Sequence, residues 1–299
     1  MSVALMFPGQ GAQYVGMGQS LCESDYGGDE IFSRVEELLG LQFLQTCFYG
    51  PDEILMQTSI CQPALFVHGC AVVSILRNMG NSFDVAYGLS LGELTALWAA
   101  EVVDFETGLH IVSERGKLMQ AACEKTKGSM LCLLGGDLED IESICHESKV
   151  EVANMNCPGQ VVISGEIENI KKAQELAEKM AFKRVLPLNV AGAYHSKLME
   201  SASVGFEKVL QNIEFQPPQI RVLTNVTGKS VGSPKEIKEM LVRQIISPVL
   251  FEKCCRSAIH MQISEYFECG PGKTLCGMLR KIDRNIIVKN FDRIEDFNL

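Results

Sequence analysis

The sequence predicts an α/β protein in which a small domain is inserted into a larger one, and three observations carry that expectation. The chain has 299 residues, 46% of them apolar, which suits two domains or one large domain with an insertion. Residues 129–188 read as a strand (Met130 to Leu134), a helix (Leu138 to Cys145), two strands (Val150 to Asn154 and Val161 to Ser164), a helix (Ile167 to Met180) and a strand (Lys183 to Leu188). That βαββαβ order is the ferredoxin-like split βαβ unit. On both flanks, short apolar strands lead through glycine-rich turns into helices, so residues 1–126 and 190–299 form the larger α/β domain and residues 127–189 the smaller one.

In the flanks, Val3 to Phe7 reads as a strand that runs into Pro8-Gly9-Gln10-Gly11-Ala12-Gln13, a loop whose glycines let backbone approach a ligand closely. Ala64 to Asn78 reads as an apolar helix, followed by a turn at Gly80-Asn81 and a strand from Phe83 to Tyr87. A tight turn with Ser90 at its tip then opens a second apolar helix, which continues through Ala100. Beyond the insert come a helix (Lys197 to Gln211), a strand (Val222 to Asn225), a helix from about Pro234 and a last strand, Tyr266 to Cys269. No repeat or low-complexity segment interrupts this order.

Composition removes several classes of function. With 37 acidic against 27 basic side chains the net charge is -10, which gives no electrostatic support for binding nucleic acid or an anionic membrane. The longest apolar run, Ala64 to Leu76, spans 13 residues and includes His68 and Gly69, the length of a buried helix rather than a membrane span. The N-terminus has no basic segment and turns to Pro8 and Gly9 too early for a signal peptide, so a cytoplasmic location is expected. Twelve cysteines lie scattered in apolar segments with no CxxC pair and no zinc spacing; they read as reduced core thiols, and no metal is expected. Two phosphate-binding fingerprints also fail. After Gly9 and Gly11 the third glycine of a dinucleotide loop would fall on Tyr14, and before Gly272-Lys273-Thr274 the first glycine of a P-loop would fall on Phe267.

Gly88-Leu89-Ser90-Leu91-Gly92 satisfies G-x-S-x-G between a strand and a helix. Glycines two residues either side permit a sharp turn that lifts the serine oxygen into the open, where the helix end and the Leu91 N–H can stabilise an oxyanion. The competing reading is an ordinary glycine-rich turn. A serine nucleophile needs a base. Of five histidines, His68 lies inside the apolar helix and reads as a satisfied core residue, while His110, His146 and His260 sit among polar neighbours and read as surface. His195, in Ala191-Gly192-Ala193-Tyr194-His195-Ser196, falls after a strand and at the start of a helix that Ser196 could cap, where the positive helix end favours neutral imidazole. No convincing acid stands between Ser90 and His195, so the pattern is a Ser/His dyad whose histidine is held by something neutral.

Arg115 carries a clue about the substrate. Three and four residues away on its helix stand Ile111, Val112, Leu118 and Met119, and a guanidinium on such a stripe calls for an anionic partner. Its planar fork suits a carboxylate, which is either a substrate's or that of an internal partner such as Glu93.

These motifs resemble those of the malonyl-CoA:acyl carrier protein transacylases of fatty acid synthesis and the acyltransferase domains of polyketide synthases. The matches are Phe7 to Gln13, Gly88 to Glu93, Arg115 to Gln120, Asn156 to Gln160, Gly192 to Ser196, Val242 to Val249 and Glu268 to Lys273, in family order. The resemblance implies a hydrolase-like core with a mostly parallel sheet and a ferredoxin-like insert. It implies that Ser90 takes the malonyl group from CoA, that His195 is base and then acid, and that Gln10 and Leu91 supply the oxyanion N–H groups. It further implies that the Gln244 main-chain carbonyl orients His195 and that Arg115 binds the malonyl carboxylate. Ping-pong transfer through a malonyl-serine ester follows, with CoA thioester as substrate and no cofactor. Leu89 departs from the family, which usually has histidine there, and Tyr194 is similar to the aromatic residue of many malonyl-selective members. Its ring would crowd an α-methyl branch, an effect of about 1 to 3 kcal/mol.

The implied partners are malonyl-CoA and an acyl carrier protein, with no nucleic acid or membrane, and the expected state is a monomer. An acidic carrier protein would need a local basic face, for which Lys171, Lys172, Lys179, Lys183 and Arg184 in the insert and Lys273, Arg280, Lys281 and Arg284 near the C-terminus are candidates. Two other readings are an acyl hydrolase on the same scaffold, for which a carboxylate clamp at Arg115 has no use, and a non-catalytic docking subunit, which would not need Ser90, His195 and Gln244 together.

Overall fold

The computed structural model describes residues 2–297. Strand β1 (Val3–Phe7) is followed by helices α1 (Gln19–Cys22), α2 (Gly28–Leu39), α3 (Leu41–Tyr49), α4 (Asp52–Leu55) and α5 (Thr58–Asn78). Next come β2 (Val85–Gly88), α6 (Leu91–Ala99) and α7 (Phe105–Lys125). The middle of the chain forms β3 (Gly128–Gly135), α8 (Leu138–Ser148), β4 (Glu151–Cys157), β5 (Gln160–Glu166), α9 (Ile167–Ala177) and β6 (Phe182–Pro187). The chain then makes α10 (Glu200–Gln211), β7 (Arg221–Leu223), β8 (Ser230–Val231), α11 (Pro234–Gln244), α12 (Phe251–His260), β9 (Glu265–Cys269), α13 (Thr274–Ile282) and β10 (Ile287–Phe291).

The strands form two sheets. The larger has the order β10-β9-β1-β2-β7-β8, parallel throughout except at the β7–β8 edge. Every residue of β1 and β2 is buried, which is why both read as unbroken apolar runs: a parallel strand covered on both faces has no solvent side to mark with polar residues. The smaller sheet has the order β4-β5-β3-β6 and is antiparallel at every pairing, the order that the split βαβ unit produces. Its own core joins Leu131, Leu133 and Ile163 to Ile144 of α8 and Ile170 of α9. The smaller sheet meets the segment before α12 through β4, where Asn154 bridges Val249 and Met155 N–H donates to the Val249 carbonyl at 2.9 Å.

Several expectations need correction. The strand Tyr266 to Cys269 is not the last: β10 follows and pairs with it along the sheet edge. The apolar helix begins at Thr58 rather than Ala64 and is 21 residues long, enough to cross a membrane by length and composition, but it is largely buried in the core. Pro63 lies within it, and a proline marks a helix start more often than an interior, which is why the sequence pattern reads from Ala64. Helices α1 to α4, α12 and α13 were not anticipated. The strand expected to reach Asn225 stops at Leu223, and that difference matters for the site.

Candidate active site

Ser90 lies between β2 and α6 with φ 54° and ψ -100°, a strained conformation for any residue other than glycine. The turn is tight enough that a Cβ on Gly92 would overlap the Phe7 carbonyl, and one on Gly88 would overlap the Gly92 backbone. Asn225, just past β7, braces it from outside: its Oδ1 accepts from Ser90 N–H at 2.7 Å and its Nδ2 donates to the Gly88 carbonyl at 2.7 Å. Glu93 in turn accepts from the Asn225 N–H at 2.9 Å and from Gln244 Nε2 at 2.6 Å.

Against this turn the structure sets His195, 105 residues later in the chain. Its Nε2 is 2.8 Å from Ser90 Oγ and its Nδ1 is 2.8 Å from the Gln244 carbonyl. A carbonyl only accepts, so Nδ1 carries the proton and Nε2 offers its lone pair to the serine. Ser196 caps the following turn by accepting from the Leu198 N–H. Burial, with the Arg115 charge second, pushes the His195 pKa down to about 4. Protonation is lost as pH rises through that value, so the imidazole is a neutral acceptor from about pH 5 upward. An NMR titration of the ring protons should therefore place the His195 midpoint near pH 4; a midpoint above 6 would refute this electrostatic picture.

Arg115, on α7, is 1% exposed. Its Nη1 donates to Gln62 Oε1 at 2.8 Å, and its Nη2 donates to Gln244 Oε1 at 2.8 Å and to Ser90 Oγ at 3.0 Å. Its Nε has no hydrogen-bond partner among the described residues. Glu93 is not among its hydrogen-bond partners, but adds attraction from a distance, and burial still pulls the guanidinium down to about 10, which leaves it cationic at neutral pH. Burial raises Glu93 itself to about 7, against the hydrogen bonds from Asn225 and Gln244.

Ser90, Leu91, Gln10, Tyr194 and His195 line one cavity of about 770 Å³, and Leu89 stands in its wall. The structure thus brings together all six candidate residues: Ser90, His195, Gln244, Gln10, Leu91 and Arg115. Sequence reasoning missed Gln62 and Asn225. It named Glu93 only as a possible partner of Arg115, although a carboxylate in so apolar a helix was itself a signal. His68 departs from expectation: it is buried, but among the described residues neither ring nitrogen is hydrogen-bonded, and Nε2 lies 3.4 Å from Asp292 Oδ1 without the alignment a hydrogen bond needs.

Comparison with known proteins shows the family. Residues 5–276 match the family model described as an acyl transferase domain. The malonyl CoA-acyl carrier protein transacylase of Bacillus subtilis (strain 168) is 35% identical over 289 residues, covering 95% of this chain and 91% of that protein. The protein of the same name from Staphylococcus aureus (strain MRSA252) is 36% identical over 298 residues, covering 98% and 96%. Among solved structures, the acyl-carrier-protein-S-malonyltransferase of Bartonella henselae superposes with a TM-score of 0.95 at 31% identity, covering 100% of this chain and 98% of that one. A malonyl-transacylase in complex with a type II PKS acyl-carrier protein superposes with a TM-score of 0.96 at 33% identity, again covering 100% and 98%.

Proposed function

The chain belongs to the acyl transferase domain family, and from that membership we propose that it moves a malonyl group from malonyl-CoA to the phosphopantetheine thiol of an acyl carrier protein by way of an ester on Ser90. One observation carries the reading: Ser90 Oγ sits 2.8 Å from a neutral base and 3.0 Å from a buried guanidinium suited to a carboxylate. The malonyl carboxylate takes up the Arg115 fork, using donors now given to Gln62, Gln244 and Ser90. His195 Nε2 accepts the Ser90 proton as Oγ attacks the thioester carbonyl. The Gln10 and Leu91 N–H groups receive the oxyanion. Collapse breaks the C–S bond, and the imidazolium returns its proton to the CoA thiolate. The carrier protein's thiol then reverses the sequence: His195 takes its proton, the thiolate attacks the ester, and Ser90 leaves with that proton. The Gln244 carbonyl fills the place an acid holds in a Ser-His-Asp triad, keeping the imidazole in one tautomer and orientation.

These steps draw on side chains and backbone alone, so the reading needs no cofactor, and CoA is a substrate. A monomer suffices for this chemistry, since one chain supplies every residue it uses, and twelve free thiols suit a reducing cytoplasm. The domain division at residues 127–189 puts the cavity between the large domain and the small sheet, since Asn154, Asn156 and Val162 line it beside Ser90. For the carrier protein the favoured basic face is the one on α13, because Thr274, Leu275 and Met278 of that helix line the cavity while Lys273, Arg280, Lys281 and Arg284 are exposed on or beside it.

Intact-protein mass after mixing with malonyl-CoA tests the function. We expect a single malonyl adduct, mapped by proteolysis to the Ser90 peptide and discharged far faster by holo acyl carrier protein than by buffer. Discharge at equal rates would make the protein a hydrolase, and the absence of an adduct would refute the site.

A further inference from the structure

The Gln10 side chain has two hydrogen-bond partners among the described residues, and both are hydroxyls. Its Nε2 donates to Thr58 Oγ1 and to Tyr194 Oη, each at 3.3 Å, and those two oxygens lie 2.6 Å apart. Thr58 is the first residue of α5, where its backbone N–H donates to Gln120 Oε1 of α7 at 3.1 Å. Tyr194 is buried and immediately precedes His195. The wall formed by α5, α7 and the histidine loop therefore grips the Gln10 side chain through two hydroxyls.

That loop has little else to hold it to this wall. Among the described residues its other side-chain and main-chain bonds are internal, Gly11 N–H to Gln13 Oε1 at 2.7 Å and Ala12 N–H to the Gly9 carbonyl at 3.3 Å, and beyond these the Gly11 backbone lies beside the Cys61 thiol of α5. On its opposite side Gly9 lies against the Leu89 carbonyl so closely that no Cβ would fit, so the loop rests on the nucleophile turn itself. A donor aimed at a developing oxyanion must be held to a few tenths of an ångström, because its contribution depends on being in place before charge appears.

We propose that the Tyr194 hydroxyl is a positioning residue for the oxyanion loop: together with Thr58 it clamps the Gln10 side chain and so fixes the Gln10 main-chain N–H against the Ser90 turn. This deepens the proposed function and rests on its assignment of Gln10 as an oxyanion donor. The tyrosine ring shapes the acyl pocket, whereas its hydroxyl acts on rate through the loop. The two roles separate in Tyr194→Phe, which removes the oxygen and keeps the ring.

The test is single-turnover malonylation of the whole protein, read by rapid-quench mass spectrometry. Tyr194→Phe should lower the maximal rate about three- to tenfold, leaving both the half-saturating malonyl-CoA concentration and the preference for malonyl over methylmalonyl unchanged. Thr58→Ala should reproduce the loss and Thr58→Ser restore the rate, which gives a second route if the phenylalanine variant folds poorly. Gln10→Ala keeps its backbone N–H but loses the clamp, so Tyr194→Phe should cost nothing further in that background. A Tyr194→Phe protein that loads at the wild-type rate, or one whose loss is undiminished in Gln10→Ala, overturns the clamp. In either event, normal loading of the wild type leaves the transferase reading standing, whereas a wild type that never loads refutes that reading instead.

Discussion

His195→Asn should slow malonylation of Ser90 by about 10²- to 10⁴-fold, the range typical of removing a general base. Asparagine is the informative replacement because His195 has φ 58°, in the left-handed region that asparagine tolerates and alanine does not. The alanine variant would therefore mix backbone strain with the loss of the base. Without the imidazole, Ser90 Oγ keeps only its contact with Arg115 Nη2, a donor that can stabilise an alkoxide but cannot accept the proton. The residual rate should come from the oxyanion donors and from carboxylate binding, so malonyl-CoA should still bind with near-normal affinity. Rapid-quench loading and thermal melting of the same preparation separate the effects. A folded His195→Asn protein that loads within tenfold of wild type would remove the histidine from the mechanism.

Part of this arrangement was legible because it is local. The strand from Val3 to Phe7 is an apolar run covered on both faces, and Gly88 to Gly92 spells a turn whose sterics demand glycine at both ends. The split βαβ insert could be read because its two amphipathic helices and half-covered strands keep distinct periods. What escaped has physical reasons. Strand β10 alternates weakly, with Ile287 and Lys289 exposed at a sheet edge, and so lacks the apolar run that marked β1. Helix α2 buries few side chains, among them Phe32 and Val35, against a long exposed face. Asn225 is one polar residue beyond a three-residue strand, and its partners Ser90 and Gly88 lie 135 and 137 positions away. The role of Gln244 rests on a main-chain carbonyl, which every residue has, so only family resemblance pointed to it. The side chain of that same residue gives a local reason for its identity. Its amide nitrogen donates to the Ser90 carbonyl and to Glu93 while its oxygen accepts from Arg115, a combination of donor and acceptor that neither glutamate nor leucine offers.

Arg115→Ala should reverse the substrate preference as well as reduce the rate. Losing a buried, bidentate, charge-assisted contact should lower kcat/KM for malonyl-CoA by about 10²- to 10³-fold, while acetyl-CoA, which has no carboxylate to place, should lose far less. Arg115→Lys keeps the charge without the fork and should fall between the two. The same substitution bears on the base. The Arg115 cation disfavours imidazolium at His195, so removing it raises the His195 pKa above its native value of about 4. Protonation then begins at higher pH on acidification, and the acid limb of acetyl loading by Arg115→Ala should lie at higher pH than that of wild type. On the proposed mechanism a malonyl carboxylate bound at Arg115 offsets the same positive charge, and so would restore basicity to His195. Loading rates for both thioesters across pH 4 to 8 measure the selectivity and the shift together. An unchanged malonyl-to-acetyl ratio would show that Arg115 does not bind the carboxylate, and an unmoved acid limb would show that its charge does not govern His195.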